Sequence, residues 1–262
     1  MTETLTAPVT LAIADGIASL RFCTPERLNV LTPAAADAFH AAVDQLLADP
    51  SVRVLVISAE GRAFMAGGDL ATFAAADDKA AAFRGLVDRI HTPLKKLEAS
   101  PVITIAAVQG AVAGAGMAFA IGSDLCVASE EARLTFAYSS IGAPGDCGIT
   151  WALPRLVGYR RALEIALLSE PIPAERALAL GLVNQVVPLA ELEGAARALA
   201  TRIAAGAPLA AGALKRLMRR DRAYADQLDA EVEEFATCAG SADFSEGMAA
   251  FFGKRRPTFT GA

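Results

Sequence analysis

Residues 102–123, VITIAAVQGAVAGAGMAFAIGS, contain no charged side chain. The first part, VITIAAV, is rich in β-branched residues and predicts a buried strand of a parallel sheet. The small residues that follow predict a turn, and the part after Gly114 predicts a buried helix. A strand, a glycine-rich turn and a helix in this order are typical of an α/β fold with mainly parallel strands.

The same stretch is also long enough to span a bilayer, and Gly110 and Gly114 have the spacing that packs membrane helices. However, Gln109 and Gly110 interrupt the apolar run in its middle, and alanine and glycine dilute its hydrophobicity. No other segment predicts a second span. We therefore interpret this stretch as part of a protein core and expect no membrane partner.

Strand and helix patterns alternate on both sides of this stretch. The predicted elements are a hairpin at 9–22 around Asp15-Gly16, a helix from Thr32-Pro33 to Asp49-Pro50, a strand at 53–58, a helix at 79–98, a strand at 124–128, a loop at 139–150 and a helix that begins in 150–158. From about Leu189 onward only helical patterns occur. We predict an α/β core over 1–190 and a C-terminal helical assembly segment over 191–262.

Composition excludes several classes of protein. The 262 residues are 54% hydrophobic and 20% charged, which excludes a disordered chain and a small disulfide scaffold. The net charge of −5 provides no basic surface for a nucleic-acid backbone, so we expect no such partner.

Four dispersed cysteines and two histidines do not match a metal site. The start, MTETLTAPVT, does not resemble a secretory signal, and we expect a cytoplasmic protein with reduced thiols.

Two segments have the pattern of a strand that ends in a turn of small residues before a helix. They are GRAFMAGGDL at 61–70 and QGAVAGAGM at 109–117. Glycine lets the backbone approach a ligand closely and direct N–H groups at it. One such segment alone is more typical of a plain turn capped by Asp69. Two that converge predict an oxyanion hole, which stabilises negative charge developing on a carbonyl oxygen.

Five segments in order resemble the crotonase, or enoyl-CoA hydratase/isomerase, superfamily. They are PERLNVL (25–31), GRAFMAGGDL (61–70), AAVQGAVAGAGMAFAIGSD (106–124), ALALGLVNQVV (177–187) and SADFSEGMAAFFGKRRPTFTG (241–261). The resemblance implies the crotonase (ClpP-like) fold of stacked β-β-α units, a CoA-thioester substrate with no separate cofactor, and a homotrimer or hexamer. It also implies that Gly68 and Ala115 supply the oxyanion N–H groups.

Two positions depart from the hydratases of this family, which use two glutamates. The matching positions are Ala118 and Ser139. Adding water across a double bond requires groups that activate the water and deliver a proton to carbon. The resemblance therefore favours an isomerase over a hydratase.

Asp146, in IGAPGDCGIT at 141–150, is the carboxylate that remains near this site. Taken alone, it is more typical of a turn aspartate bonded to its own backbone. In the family register it matches the acid/base of the subgroup that isomerises ring epoxides of phenylacetyl-CoA. Gly145 and Ile149 depart from that subgroup, which has proline and glycine there. Asp146 also matches the nucleophile of 4-chlorobenzoyl-CoA dehalogenases, where His91 would be the base.

We predict that Asp146 moves a proton between carbons of an acyl-CoA, in a ring-epoxide or a 3-enoyl to 2-enoyl isomerisation. Hydration, dehalogenase-like hydrolysis and non-catalytic acyl-CoA binding remain the alternatives. A histidine on a helix, such as His91, is more typical of packing, and we expect the same of Trp151 and Cys147.

The resemblance also implies a set of substrate-binding residues: Arg27, Arg62, Ala63, Phe64, Ala66, Asp69, Leu70, Gly114, Ala118, Tyr138, Ser139 and Lys254. The basic members would pair with the CoA phosphates, although exposed basic side chains are as often simply solvated. Ala118, Tyr138 and Ser139 would line an acyl pocket.

Overall fold

A computed structural model describes residues 7–262. Residues 1–6, on which part of the prediction about a secretory signal rests, lie outside the described residues. The strands are β1 (Val9–Ala14), β2 (Ile17–Phe22), β3 (Val54–Ala59), β4 (Ile103–Val108), β5 (Ala111–Ala113), β6 (Leu125–Ser129), β7 (Arg133–Thr135), β8 (Ile172–Pro173) and β9 (Gln185–Val187). The helices are α1 (Pro33–Ala48), α2 (Leu70–Ala75), α3 (Lys79–Ala99), α4 (Ala115–Gly122), α5 (Ile149–Val157), α6 (Tyr159–Leu168), α7 (Ala174–Ala179), α8 (Leu192–Ala204), α9 (Pro208–Arg219), α10 (Tyr224–Ala239) and α11 (Ala242–Phe252).

The strands form two sheets, which confirms the predicted α/β fold. The larger sheet has the order β1-β2-β3-β4-β6-β9, and the smaller has the order β5-β7-β8. β1 and β2 form the predicted hairpin, whereas the other neighbours in the larger sheet are parallel. The carboxyl ends of β3 and β4 therefore lie at the same edge of the sheet, and the two glycine-rich segments follow these strands.

Helices cover both faces of the larger sheet. Leu55 and Ile57 of β3 join a cluster with α1, α3 and α4, while Val54 and Val56 face α8. This alternation explains why the central strands are apolar throughout, since both faces of a parallel sheet are buried. Three rings, those of Phe22, Phe39 and Phe119, pack at 5.2–6.1 Å between centroids in the first cluster.

The helical pattern predicted from Leu189 onward is confirmed. However, the buried alanines of α8, which are Ala196, Ala200 and Ala204, pack against the sheet of the same chain. Their small side chains therefore need no partner subunit for burial. The division at residue 190 into a core and an assembly segment stays a prediction.

Residues 102–123 form β4 and α4 as predicted, but β5 lies between them where the sequence indicates only a turn. This strand is three residues long and depends on pairing with β7, so no local pattern reveals it. Among residues 7–262, no helix combines the length and the apolar character needed to cross a membrane.

Two glycines permit the segment after β3 to contact the segment after β4. A Cβ built on Gly110, where φ is +54°, would lie 1.8 Å from the carbonyl oxygen of Arg62. A Cβ on Gly116 would lie 2.2 Å from the carbonyl oxygen of Met65. Both distances are far below van der Waals contact with backbone atoms, so a side chain at either position would force the two segments apart.

We expect Gly116→Ala to lower the free energy of unfolding by about 1–3 kcal/mol, the usual cost of overpacking a closely packed core. Gly122→Ala is the matched control in the same helix, because no described atom outside its chain neighbours and its own helix backbone lies within 4 Å of its built Cβ. Removing this glycine's extra backbone freedom should leave stability unchanged or raise it slightly. Urea denaturation measures both variants, and equal midpoints would contradict this account of the close contact.

Candidate active site

Two backbone N–H groups that find no acceptor among residues 7–262 lie at the contact between the glycine-rich segments. Ala115 is the first residue of α4, where helical N–H groups have no partner within the helix. Among the described residues, neither the Ala115 N–H nor the Gly68 N–H donates a hydrogen bond to the protein. The N-terminus of α4 also carries a partial positive charge, which favours negative charge on a bound oxygen.

Hydrogen bonds hold the two segments together. The Ala113 N–H donates to the Met65 carbonyl over 2.9 Å, and the Met65 N–H donates to the Ala111 carbonyl over 3.2 Å. A Cβ built on Gly114, where φ is +53°, would lie 3.5 Å from Gly67 Cα. The backbone before Ala115 therefore approaches the backbone before Gly68 closely, as the predicted convergence of the two turns requires.

Asn29, within the PERLNVL segment, anchors the loop that leads to Gly68. This side chain is 1% exposed, and its Nδ2 donates to the carbonyls of Glu60 and Ala63, each over 2.9 Å. Its Oδ1 accepts the Thr24 N–H over 2.9 Å. A buried amide with its donors and acceptor satisfied fixes the local chain path, so the segment contributes to the site by supporting it.

Asp146 and Tyr138 form a hydrogen-bonded pair next to these turns. Tyr138 is buried, and its Cζ lies 3.9 Å from the Cβ position built on Gly114. The Tyr138 hydroxyl donates to Oδ1 of Asp146. Burial, and then the charge of Asp146, raise the pKa of Tyr138 well above its ordinary value, so the phenol keeps its proton. Among residues 7–262 no side chain or backbone group donates to Oδ2 of Asp146, which leaves this oxygen available to a substrate.

The backbone beside this pair has left-handed conformations. Ala137 has φ of 62° and Cys147 has φ of 49°, which is uncommon for residues other than glycine. Gly145 has φ of 105°, a value that the ring of proline cannot reach. The loop of this chain therefore requires a residue other than the subgroup's proline before Asp146. Strained positions of this kind concentrate at functional sites, because the surrounding structure must hold them in place.

His91 holds this loop from the neighbouring helix α3. Its Nε2 accepts the backbone N–H of Cys147 over 3.2 Å. The sequence predicts packing for His91 and leaves a catalytic base as an alternative; the structure instead assigns it a contact with the residue after Asp146. No sequence signal reveals this contact, since it joins positions that are far apart in the chain.

Cys147 itself is a buried thiol. Burial, and then the charge of Asp146, raise the pKa of this thiol well above its ordinary value. The nucleophilic form of cysteine is the thiolate, so Cys147 acts here as a small packing side chain, in keeping with the expectation from sequence. Within residues 7–262, no cluster of three or more potential ligand side chains is arranged to hold a metal ion.

A cavity of about 700 Å³ begins beside this loop. Ala118, Cys147 and His91 line one part of it, so the alanine at the first glutamate position contributes to its wall. Trp151, for which the sequence indicates packing, lies in the same wall. The volume lies within the usual range of pockets for small organic ligands.

The remaining predicted substrate-binding residues differ in their exposure to solvent. Ala63 and Phe64 are buried, so the ring of Phe64 belongs to the core and not to a pocket surface. Ala66 is partly buried, while Arg62 and Leu70 are exposed beside the Gly68 loop.

Arg27 and Asp69 form an ion pair with 3.2 Å between Nη2 and Oδ2. Burial opposes ionisation of Asp69, but hydrogen bonds from Thr72 and Arg27 hold the pKa of this carboxyl below its ordinary value. Asp69 is therefore a charged partner for Arg27, and its side chain does not cap α2.

Ser139 donates its hydroxyl to the Ala166 carbonyl of α6 and is thereby already engaged. Lys254 follows α11 and makes no side-chain hydrogen bond or ion pair with any described residue.

The comparisons with known proteins agree with this geometry. Residues 12–262 match the family described as "Enoyl-CoA hydratase/isomerase", and the chain belongs to this family. A 1,2-epoxyphenylacetyl-CoA isomerase of Escherichia coli (strain K12) is 35% identical over 95% of this chain and 97% of its own. A trans-2-decenoyl-[acyl-carrier-protein] isomerase of Streptococcus mutans is 32% identical, covering 95% and 96%. The crystal structure of an enoyl-CoA hydratase from Polaromonas sp. JS666 has a TM-score of 0.91, with 31% identity over 96% and 99%. These matches confirm the predicted family and its crotonase fold.

We expect His91→Leu to release the loop around Asp146, because leucine offers no acceptor to the Cys147 N–H. The Cys147 amide should then exchange its hydrogen for deuterium about 2–10 times faster, the equivalent of one net hydrogen bond. His91→Gln is the matched control, since its amide oxygen can accept the same bond. Hydrogen exchange followed by mass spectrometry measures peptides that contain 142–148. Unchanged exchange in the leucine variant would show that His91 does not hold the loop.

Proposed function

We propose that this protein is an acyl-CoA isomerase in which Asp146 carries a proton between two carbons of the acyl group. The single observation that carries the proposal is the position of the Asp146 carboxylate. It lies beside the Gly114 turn through its bond to Tyr138, and one of its oxygens has no donor among the described residues. The substrate would be either a ring epoxide of a phenylacetyl-type thioester or a 3-enoyl thioester.

The thioester oxygen would lie between the N–H groups of Gly68 and Ala115. Removing a proton from the carbon next to the thioester carbonyl converts the substrate to an enolate. Negative charge then develops on the thioester oxygen. Fixed donors stabilise that charge more strongly than they stabilise the neutral thioester, and losing one such donor typically costs about 10²–10³ in rate. Only the backbone supplies these donors, so a substitution that leaves the backbone path unchanged leaves them intact.

Asp146 would remove the proton with Oδ2 and return it to the other carbon. Tyr138 holds Oδ1, so that the carboxylate keeps one orientation during both transfers. One carboxylate is sufficient for this reaction, because the group that accepts the proton also donates it. General acid/base catalysis of this kind typically contributes about 10²–10⁴ in rate.

The two positions that hold glutamate in the family's hydratases support isomerisation over hydration. Ala118 offers a methyl group to the cavity, and the Ser139 hydroxyl already donates to a backbone carbonyl of α6. Neither side chain supplies a carboxylate to activate water. The isomerase names of the two relatives also fit this proposal, while the solved relative is named a hydratase.

A specific observation favours one second candidate, a dehalogenase-like hydrolysis with Asp146 as nucleophile. His91 lies next to the Asp146 loop and lines the same cavity, where a base for hydrolysing the aspartyl ester would be needed. Its Nε2 already accepts the Cys147 N–H, and the other ring nitrogen of a neutral imidazole then carries the proton. His91 would have to release this bond before it could act as the base. The proton-transfer proposal needs no such second base.

We further propose a cytoplasmic homotrimer or hexamer that uses no cofactor besides the CoA of its substrate. Large apolar side chains are exposed on α6, α10 and α11: Leu163, Leu167, Leu168, Leu228, Val232, Phe235, Phe251 and Phe252. Burying such side chains between subunits would stabilise an oligomer. Light scattering at micromolar concentration should give a multiple of three times 27.1 kDa, and a stable monomer would contradict the proposal.

We expect Asp146→Asn to lower kcat for a 3-enoyl-CoA by about 10²–10⁴. Asparagine has nearly the same volume and its amide oxygen can accept the Tyr138 hydroxyl, but it cannot take a proton from carbon. The KM should change little, because the backbone donors are untouched. The change in absorbance as the double bond becomes conjugated with the thioester measures the rate.

Asp88→Asn is the control for this experiment, since Asp88 is exposed on α3 and outside the site. An Asp146→Asn variant as fast as the parent would show that another group moves the proton. An acyl adduct on Asp146, detected by mass spectrometry of the intact parent enzyme, would favour the hydrolytic candidate.

A further inference from the structure

The far wall of the cavity contains two cations that share one carboxylate. Lys215 and Arg219 of α9 both line the cavity. Lys215 Nζ lies 3.3 Å from Oδ2 of Asp124, and Arg219 Nη2 lies 2.7 Å from Oδ1 of the same residue. The side chain of Lys215 is only 3% exposed. Charges removed from water to this extent are costly unless they are paired, and this group contains two cations and one carboxylate, a net charge of +1.

One donor nitrogen of the Lys215–Asp124–Arg219 group has no acceptor among the described residues. Lys215 Nζ also donates to the carbonyls of Leu97 and Val102, over 2.9 and 2.6 Å, which together with Asp124 uses its three protons. Arg219 donates through Nε to Asp124 and through Nη2 to the Gly122 carbonyl, over 3.0 and 2.8 Å. Its Nη1 has no acceptor among residues 7–262.

The side chains around this group are also mainly basic. Lys95 and Arg220 line the cavity and form no ion pair with any described residue. Arg155 pairs with Asp221, and its guanidinium lies 4.1 Å above the ring of Trp151. The acidic side chains in the wall are Asp221 and Glu98. This excess of positive charge occurs in a chain whose net charge is −5.

The free donor lies at the opposite end of α4 from the proposed oxyanion hole. Ala115 begins this helix, and the Gly122 carbonyl that Arg219 contacts ends it. At 1.5 Å per residue these ends are about 10 Å apart.

The apolar side chains that line the cavity include Ile57, Leu94, Leu97, Ala118 and Phe119. Gly68, Ala115 and Asp146 do not themselves line the cavity, but Ala118, about one turn after Ala115, and Cys147, which follows Asp146, do. The cavity therefore has apolar walls that begin next to the proposed site and a cationic end.

We propose that the cavity binds an acyl chain of medium length whose end remote from the thioester carries a carboxylate. That carboxylate accepts hydrogen bonds from Nη1 of Arg219 and balances the net positive charge of the Lys215–Asp124–Arg219 group. The inference rests on the proposed function, because it places the thioester between Gly68 and Ala115 and directs the acyl chain along α4. It adds the chemical class of the substrate, an ω-carboxyacyl-CoA.

Calorimetry with non-reacting ligands tests this inference separately from catalysis. Octanedioyl-CoA, octanoyl-CoA and the ω-methyl ester of octanedioyl-CoA have similar chains and identical CoA groups. We expect octanedioyl-CoA to bind the parent protein at least about 10-fold more tightly than the other two, the size of one hydrogen bond to a charged group. This comparison requires no variant, so it stands even if substitutions at Arg219 impair folding.

Arg219→Gln should remove the preference for octanedioyl-CoA while leaving octanoyl-CoA binding within about 2-fold. Arg216→Gln is the matched control on the same helix, since Arg216 pairs with Glu234 and does not line the cavity; its preference should persist.

Equal affinity of the parent for the three esters would overturn the inference while leaving the isomerase proposal standing. A loss of affinity in Arg219→Gln that is the same for all three would place the CoA phosphates at this cation and would also overturn it. If none of the three binds, the acyl-CoA assignment itself fails, and the inference fails with it.

Discussion

The close contact between the backbones after β3 and β4 is the constraint on which the site depends. Gly110 and Gly116 have no side chain because carbonyl oxygens of the facing segment occupy that space. The contact aligns two turns whose N–H groups, at Gly68 and Ala115, have no acceptor among the described residues. A folded protein normally pairs such groups, so unpaired donors at the meeting point of two turns indicate a place for a ligand oxygen.

A second set of contacts joins a carboxylate to the Gly114 turn. Tyr138 packs against the Gly114 turn and bonds one oxygen of Asp146, and His91 fixes the backbone that follows. Left-handed conformations at Ala137 and Cys147 show that the loop does not take this path by local preference. Tertiary contacts therefore determine the orientation of Asp146, and a carboxylate held in one orientation suits the proton transfer proposed for it.

The fold was largely predictable because its signals are local. The strand and helix of residues 102–123, the hairpin at Asp15-Gly16 and the C-terminal helices follow from periodicity and turn residues. β5 and β7 were not predicted, since each is three residues long and exists only through pairing. For the site, the resemblance indicated the relevant residues, but the hydrogen bonds of Tyr138 and His91 were not predictable from sequence.

The same limit applies to the cationic end of the cavity. Asp124 begins the predicted strand at 124–128, and Lys215 and Arg219 lie in the helical region predicted from Leu189 onward. The structure joins them because α9 packs against the residue before β4 and against the end of α4. A single sequence gives no sign of contacts between positions so far apart in the chain. In the structure, positively charged side chains outnumber negatively charged ones in the wall of the cavity.

The central claim is that one carboxylate and two backbone donors isomerise an acyl-CoA without adding water. The most direct measurement is mass spectrometry of the product formed from a 3-enoyl-CoA in water labelled with heavy oxygen. The account predicts a 2-enoyl-CoA of unchanged mass as the main product, with no heavy oxygen in its acyl chain. A main product that contains the label, as a hydroxyacyl-CoA or as a released acid, would contradict it.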